Sequence, residues 1–227
     1  MSLGTSRATE MVHLVREPAG EAEGALVLLH GRATSESDLH PLLDALDPER
    51  RLLGISPGGP LTGIPPGGQH WYVIERVGQP DESTFVDTMT QLSAFLDSLL
   101  REHGVAWEDT VVGGFSQGGA VSLALALGAG RPQAAGVLAM SCFLPIVRGW
   151  PIEVAAKRGM HAYLSHGTYD TIIPAEFGRR ARDLLEEGGL DLVFRETPVQ
   201  HQIDPRLLPQ MQGWLRARTT MVDAGAR

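Results

Sequence analysis

The chain has 227 residues, of which 43% are hydrophobic and 20% charged, and a formal net charge of −8. That length and balance suit a globular protein of one domain with a substantial core. The acidic excess without any basic run excludes an electrostatic nucleic-acid footprint, the single Cys142 excludes an intrachain disulfide, and no apolar run reaches the roughly 18 residues of a spanning helix.

The opening MSLGTSRATE lacks the apolar core of a secretory leader. With the lone thiol, this gives the expectation of a cytoplasmic protein without stable membrane insertion. The expected organisation is a single domain, 1–227, with flexible tails at 1–9 and 219–227.

The first clear element is ALVLLHG (Ala25–Gly31), apolar throughout and ending in Gly, as a buried strand of a parallel sheet would. DLHPLLDALDP then carries apolar residues at helical spacing, and RRLLGISP reads as another strand. PGGPLTGIPPGGQHWYVIERVGQPDES follows, too rich in Gly and Pro for regular structure. Loops of that length inside a domain are often functional, and this one carries Trp71 and Tyr72, large enough to line a pocket.

TFVDTMTQLSAFLDSLLREHG is a strong helix, because Phe85, Met89, Leu92, Leu96 and Leu99 share one face. Thr84 with Asp87 resembles a capping box, and Gly104 fits the stop. DTVVGGF then reads as a strand, QGGAVSLALAL as a helix, AAGVLAMSCF and MHAYLSHG as strands, and PAEFGRRARDLLEEGG as a helix with Pro at its start. DLVFRETP is the last strand, and DPRLLPQMQGWLRAR a closing helix with Asp204 as N-cap and Leu208, Met211 and Leu215 on its inner face. Strands alternating with helices imply an α/β fold with a mostly parallel sheet covered on both faces, whose sites gather at the carboxyl ends of the strands.

GGFSQGG places Ser116 between a strand and a helix. A turn tight enough to expose its hydroxyl needs tiny residues two before and two after, and Gly114 and Gly118 stand there. A serine nucleophile needs a base, and the base an orienting acid. Asp170 follows the strand HAYLSHG and His201 follows LVFRE, in the order Ser, acid, His, so all three fall at carboxyl strand ends. The backbone N–H of Gln117 and that of Arg32, in the turn after LVLLHG, are the candidate oxyanion donors.

Rivals have blander explanations. Asp204 is better read as a helix cap, and Asp191 starts its strand at the wrong end of the sheet. His30 and His166 precede glycines at strand ends and suit structural hydrogen bonds, while Cys142 suits a buried core thiol. No His, Cys or Asp spacing suggests a metal. Arg32 either pairs with Glu36 or Asp38 or brings a cation to the pocket mouth.

LLHGRATSESDL, GFSQGGAVSLALAL, GTYDTIIP and QHQI together resemble the phospholipase/carboxylesterase family of α/β-hydrolases, from about Ala25 to about Trp214. The resemblance implies an α/β-hydrolase fold with little or no separate cap, acting on carboxylic esters or thioesters. It implies a Ser116–His201–Asp170 triad, oxyanion donors at Arg32 and Gln117, no cofactor, and a small-molecule ester as partner; a homodimer stays open. Trp71, Tyr72, Phe143 and Ile172 are the candidate pocket residues. The chain departs from the family pattern at Arg32–Ala33, where Gly commonly occupies the second position, and at Gln200 and Gln202 around His201. A carboxylesterase of small or medium acyl chains is the expected activity. An acyl thioesterase, a lysophospholipase, and a noncatalytic binding protein on the same fold are the alternatives. A dienelactone hydrolase would place Cys at Ser116.

Overall fold

The computed structural model describes residues 11–219. The expected tails fall outside the described residues, apart from Thr219, which closes the last helix and is buried.

The elements run β1 (His13–Arg16), β2 (Ala25–Leu29), α1 (His40–Leu46), β3 (Leu53–Pro57), β4 (Ile74–Arg76), β5 (Gln79–Pro80) and α2 (Glu82–Glu102). They continue with β6 (Thr110–Phe115), α3 (Gln117–Leu127), β7 (Gly136–Met140), β8 (His161–Gly167), α4 (Ala175–Glu187), β9 (Asp191–Thr197) and α5 (Leu208–Thr219). Seven strands form one sheet in the order β1-β3-β2-β6-β7-β8-β9. Only β1 is antiparallel; its residues His13 to Arg16 pair with Pro57 to Gly54 of β3. This is the α/β-hydrolase fold that the sequence leads one to expect.

Both faces of the sheet are covered, and the strand sequences show why. Leu26 and Leu28 of β2 join a cluster with Leu43 and Leu46 of α1 and Met211, Trp214 and Leu215 of α5. Val27 and Leu29, on the opposite pleat, join Met89 and Leu96 of α2, Leu123 of α3 and Leu185 of α4. A strand buried on both faces has to be apolar at every position, as ALVLL is. Helix α3 is buried along all of its length, which accounts for its small, apolar, non-amphipathic sequence.

Two local expectations need correction, and a third holds with one detail added. Helix α2 starts at Glu82 with Asp81 as its N-cap, its carboxylate accepting from the Thr84 N–H at 2.9 Å, so Thr84–Asp87 is not a capping box. The Gly/Pro-rich stretch holds the β4–β5 hairpin, turning at Val77–Gly78 with Gly78 at φ 82°, and bridges pairing Leu61 with His70 and Thr34 with Gln69. The closing helix begins as a 3-10 turn, Pro205–Leu207, and Asp204 caps that turn through the Arg206 N–H.

The strand order reverses at β2. The chain moves outward from β2 to β3, then crosses back to place β6 on the other side of β2. A crevice opens beyond the carboxyl ends of the strands at such a reversal. The turns after β2 and β6 carry Arg32 and Ser116.

Candidate active site

Ser116 sits directly after β6 with φ 55° and ψ −117°, a conformation that L-residues rarely adopt. Its neighbours make room for that strain. A Cβ at Gly114 would overlap the backbone of Gly118, one at Gly118 the Leu29 carbonyl, and one at Gly119 would press on Cys142 at 2.9 Å. The Ser116 N–H is held by the Met140 carbonyl at 2.9 Å, which fixes the turn to β7.

The three candidate catalytic side chains come together. His201 Nε2 lies 2.9 Å from Ser116 Oγ, and His201 Nδ1 lies 2.6 Å from Asp170 Oδ2. The other Asp170 oxygen accepts from the N–H groups of Ile172 and Ile173 at 2.9 and 2.8 Å. A carboxylate held by two backbone donors and fully buried at its side chain cannot rotate away from the imidazole. The Asp170 bond places the proton on His201 Nδ1 and leaves Nε2 free to accept from the serine.

Two more residues complete this group: Phe115, which sequence reasoning did not single out, and His166, expected to make structural hydrogen bonds. The ring of Phe115 packs on His201 with centroids 4.8 Å apart. Its position beside the nucleophile was the only signal available. His166 Nε2 lies 3.5 Å from Asp170 Oδ2 and hydrogen-bonds the Ile173 carbonyl at 2.8 Å, bracing the loop that carries the acid. The rivals lie elsewhere. Asp191 pairs with His161 at the amino end of β9, and the Arg206 guanidinium beside Asp204 holds that carboxyl well below the usual carboxylate range. Burial pushes the Cys142 thiol far up, as befits an inert core thiol.

Arg32 and Gln117 both line the cleft, and neither main-chain N–H has a partner among the described residues. The Arg32 peptide is held from behind. The Gly59 N–H donates to His30 Nε2 at 2.8 Å, which puts the ring proton on Nδ1, 2.6 Å from the Gly31 carbonyl. Thr34 Oγ1 donates to the same carbonyl at 2.9 Å. In a trans peptide the N–H points opposite to the C=O, so the Arg32 N–H faces away from these two donors. Ala33 follows at φ 65°, in the left-handed region.

The cleft encloses about 460 Å³ and includes Ser116 and His201. Tyr72, Phe143 and Ile172 line it, together with Ile74 and Val77 of the hairpin and Ile173. Trp71 does not. It is wholly buried, its indole N–H donates to the His30 carbonyl at 2.9 Å, and its own N–H donates to Gln117 Oε1 at 2.8 Å. The chain bends at Trp71–Tyr72, and of the two only Tyr72 lines the cleft. Arg32 has no carboxylate within ion-pair range among the described residues; its guanidinium donates to the Pro65 carbonyl at 3.2 Å, while Glu36 accepts from Gln69. Gln200 and Gln202 are exposed and do not line the cleft. Among the described residues, no group of three or more His, Cys, Asp or Glu could hold a metal, and no helix is long and apolar enough to cross a membrane.

Residues 11–219 match the profile of the Phospholipase/Carboxylesterase family. Acyl-protein thioesterase 1 of Emericella nidulans is 30% identical over 64% of this chain and 66% of its own length. Acyl-protein thioesterase 1 of Debaryomyces hansenii is 28% identical over 81% of this chain and 85% of its own. A crystal structure of the Bacillus cereus carboxylesterase shares the fold with a TM-score of 0.81 at 21% identity, covering 92% of this chain and 95% of that one.

Proposed function

This chain belongs to the phospholipase/carboxylesterase family of hydrolases, and we propose that it cleaves carboxylic esters of small or medium acyl chains through an acyl-enzyme on Ser116. The observation that carries the reading is the unbroken relay from Ser116 Oγ to His201 Nε2 at 2.9 Å and from His201 Nδ1 to Asp170 at 2.6 Å, opening on an apolar-walled cleft.

His201 takes the Ser116 proton as Oγ attacks the ester carbonyl. Charge builds on the carbonyl oxygen, and the N–H groups of Arg32 and Gln117 stabilise it. His201 then protonates the leaving alcohol, and the acyl group stays on Ser116. Water, deprotonated by the same imidazole, releases the acid and restores the serine. Asp170 keeps the proton on Nδ1 in the resting state and stabilises the imidazolium in each half-reaction. The positive end of α3, which begins at Gln117, favours the same developing charge.

The names of the two fungal relatives support a second reading, a thioester substrate, in which the leaving group is a thiol. The same residues serve both. Oxygen and sulfur esters of one acyl chain, assayed side by side, separate them. For the shared mechanism, Ser116→Ala should lower kcat by about 10⁴-fold or more with the fold retained. A fluorophosphonate should add its mass at Ser116. Near-normal turnover by Ser116→Ala, or labelling only elsewhere, would overturn the reading.

A further inference from the structure

We infer that Trp71 is a positioning residue that locks together the two peptide units whose N–H groups receive the oxyanion. The inference rests on the serine-hydrolase reading above. An oxyanion hole needs two donors at a fixed separation, and here they come from turns more than eighty residues apart in sequence, Arg32 after β2 and Gln117 after β6. Neither donor peptide is bonded to the other. Trp71, from the segment after β3, reaches both.

Toward the first turn, the indole N–H donates to the His30 carbonyl at 2.9 Å, and the indole lies against the His30 ring with centroids 5.0 Å apart. His30 in turn holds the Gly31 carbonyl, which belongs to the same peptide as the Arg32 N–H. Toward the second turn, the Gln117 side-chain amide spans the bend at Trp71–Tyr72 with two main-chain bonds. Its Oε1 accepts from the Trp71 N–H at 2.8 Å, and its Nε2 donates to the Tyr72 carbonyl at 2.7 Å. The Trp71 carbonyl accepts from Thr88 Oγ1 of α2, so the residue is anchored from a third side. All of these groups are buried, and a dry amide pair of this kind holds its geometry because each partner left alone would be unsatisfied. Trp71 and Gln117 thus set the distance between the two donors, although neither side chain touches the reacting atoms.

The test is Trp71→Phe, which keeps an aromatic ring and the main-chain bond to Gln117 but removes the indole N–H together with the pyrrole part of the ring; a thermal melt reads the packing loss separately. An ester assay and the inhibition constant of a boronic acid, whose tetrahedral adduct on Ser116 places an oxygen between the two donors, are measured together. The inference requires kcat to fall about 10- to 100-fold, KM to stay within about twofold, and boronate affinity to weaken in proportion to kcat. Gln117→Met, which removes both amide bonds and keeps the Gln117 N–H, should behave alike. The double variant should fall by less than the product of the two single effects. A folded Trp71→Phe with wild-type kcat and boronate affinity overturns the inference. So does a loss of turnover at unchanged boronate affinity, which would mark a merely structural residue. Should Trp71→Phe fail to fold, Gln117→Met decides on the same criteria. A wild-type protein that neither turns over esters nor is labelled at Ser116 would instead bring down the hydrolase reading, and this inference with it.

Discussion

A Cβ added to Gly118 would occupy the place of the Leu29 carbonyl oxygen. The first turn of α3 therefore packs directly on the end of β2, and the nucleophile turn is braced by the strand that also delivers Arg32. Gly118→Ala should push α3 off β2 and lower ester turnover by about 10²-fold or more, as a misplacement of about 1 Å does. Gly213 of α5 has open space around its Cβ position, so Gly213→Ala should instead stabilise by roughly 0.5–1 kcal/mol at unchanged turnover. Thermal melts and ester assays on the pair check both statements, and a Gly118→Ala enzyme of wild-type activity would refute the packing argument.

Ser116 holds φ 55° and ψ −117° with a Cβ in place. Backbone strain of this kind costs roughly 1–3 kcal/mol, and Gly is released from it. Ser116→Gly should be inactive yet more stable than Ser116→Ala by about 1 kcal/mol. Denaturant unfolding of the two dead variants measures it, and equal midpoints would show that the turn is relaxed.

Burial holds the His30 imidazole below the ordinary histidine value of 6.5. Between that value and the folded one, the unfolded chain binds a proton that the folded chain does not, so stability falls as pH falls. Protonation would also set an N–H on Nε2 against the Gly59 N–H that it now accepts. The wild type should lose stability below about pH 6.5, and His30→Gln, weaker at neutral pH, should show a flatter dependence. The melting temperature, not turnover, is the readout. Parallel pH profiles of the two proteins would exclude His30 as the source.

Arg32 stands exposed at the cleft mouth with a carbonyl rather than a carboxylate as its partner. An ester with an anionic group near the reacting carbonyl would meet an unneutralised cation. At a wet surface this is worth about 1 kcal/mol at contact distance, so Arg32→Leu should lower kcat/KM for anionic esters about fivefold relative to neutral ones. The main-chain donor survives the substitution. An unchanged ranking would leave the guanidinium without a role in substrate choice.

The sheet and the relay were legible because they rest on short-range rules. Apolar runs such as ALVLL announce doubly covered strands, and the glycines around Ser116 announce the turn. What stayed hidden depends on where a side chain points across the molecule. Trp71 and Tyr72 are neighbours of similar character, yet one packs inward and the other lines the cleft. Four residues of β1, half exposed and lacking any run of apolar positions, carry too little pattern to stand out. The strands of the β4–β5 hairpin, three and two residues, are shorter still and border the glycines and prolines that argue for loop. Gln117 was assigned through its main chain alone, because nothing local reveals that its side chain meets a segment some 45 residues away.

His201 lies beyond β9, the last strand to be added to the sheet. On a growing polypeptide the nucleophile, both donor peptides and the acid are all synthesised before the base. On the proposed mechanism the base is in place only once the final edge of the sheet has docked, so ester turnover should report completion of the whole fold rather than of its first half.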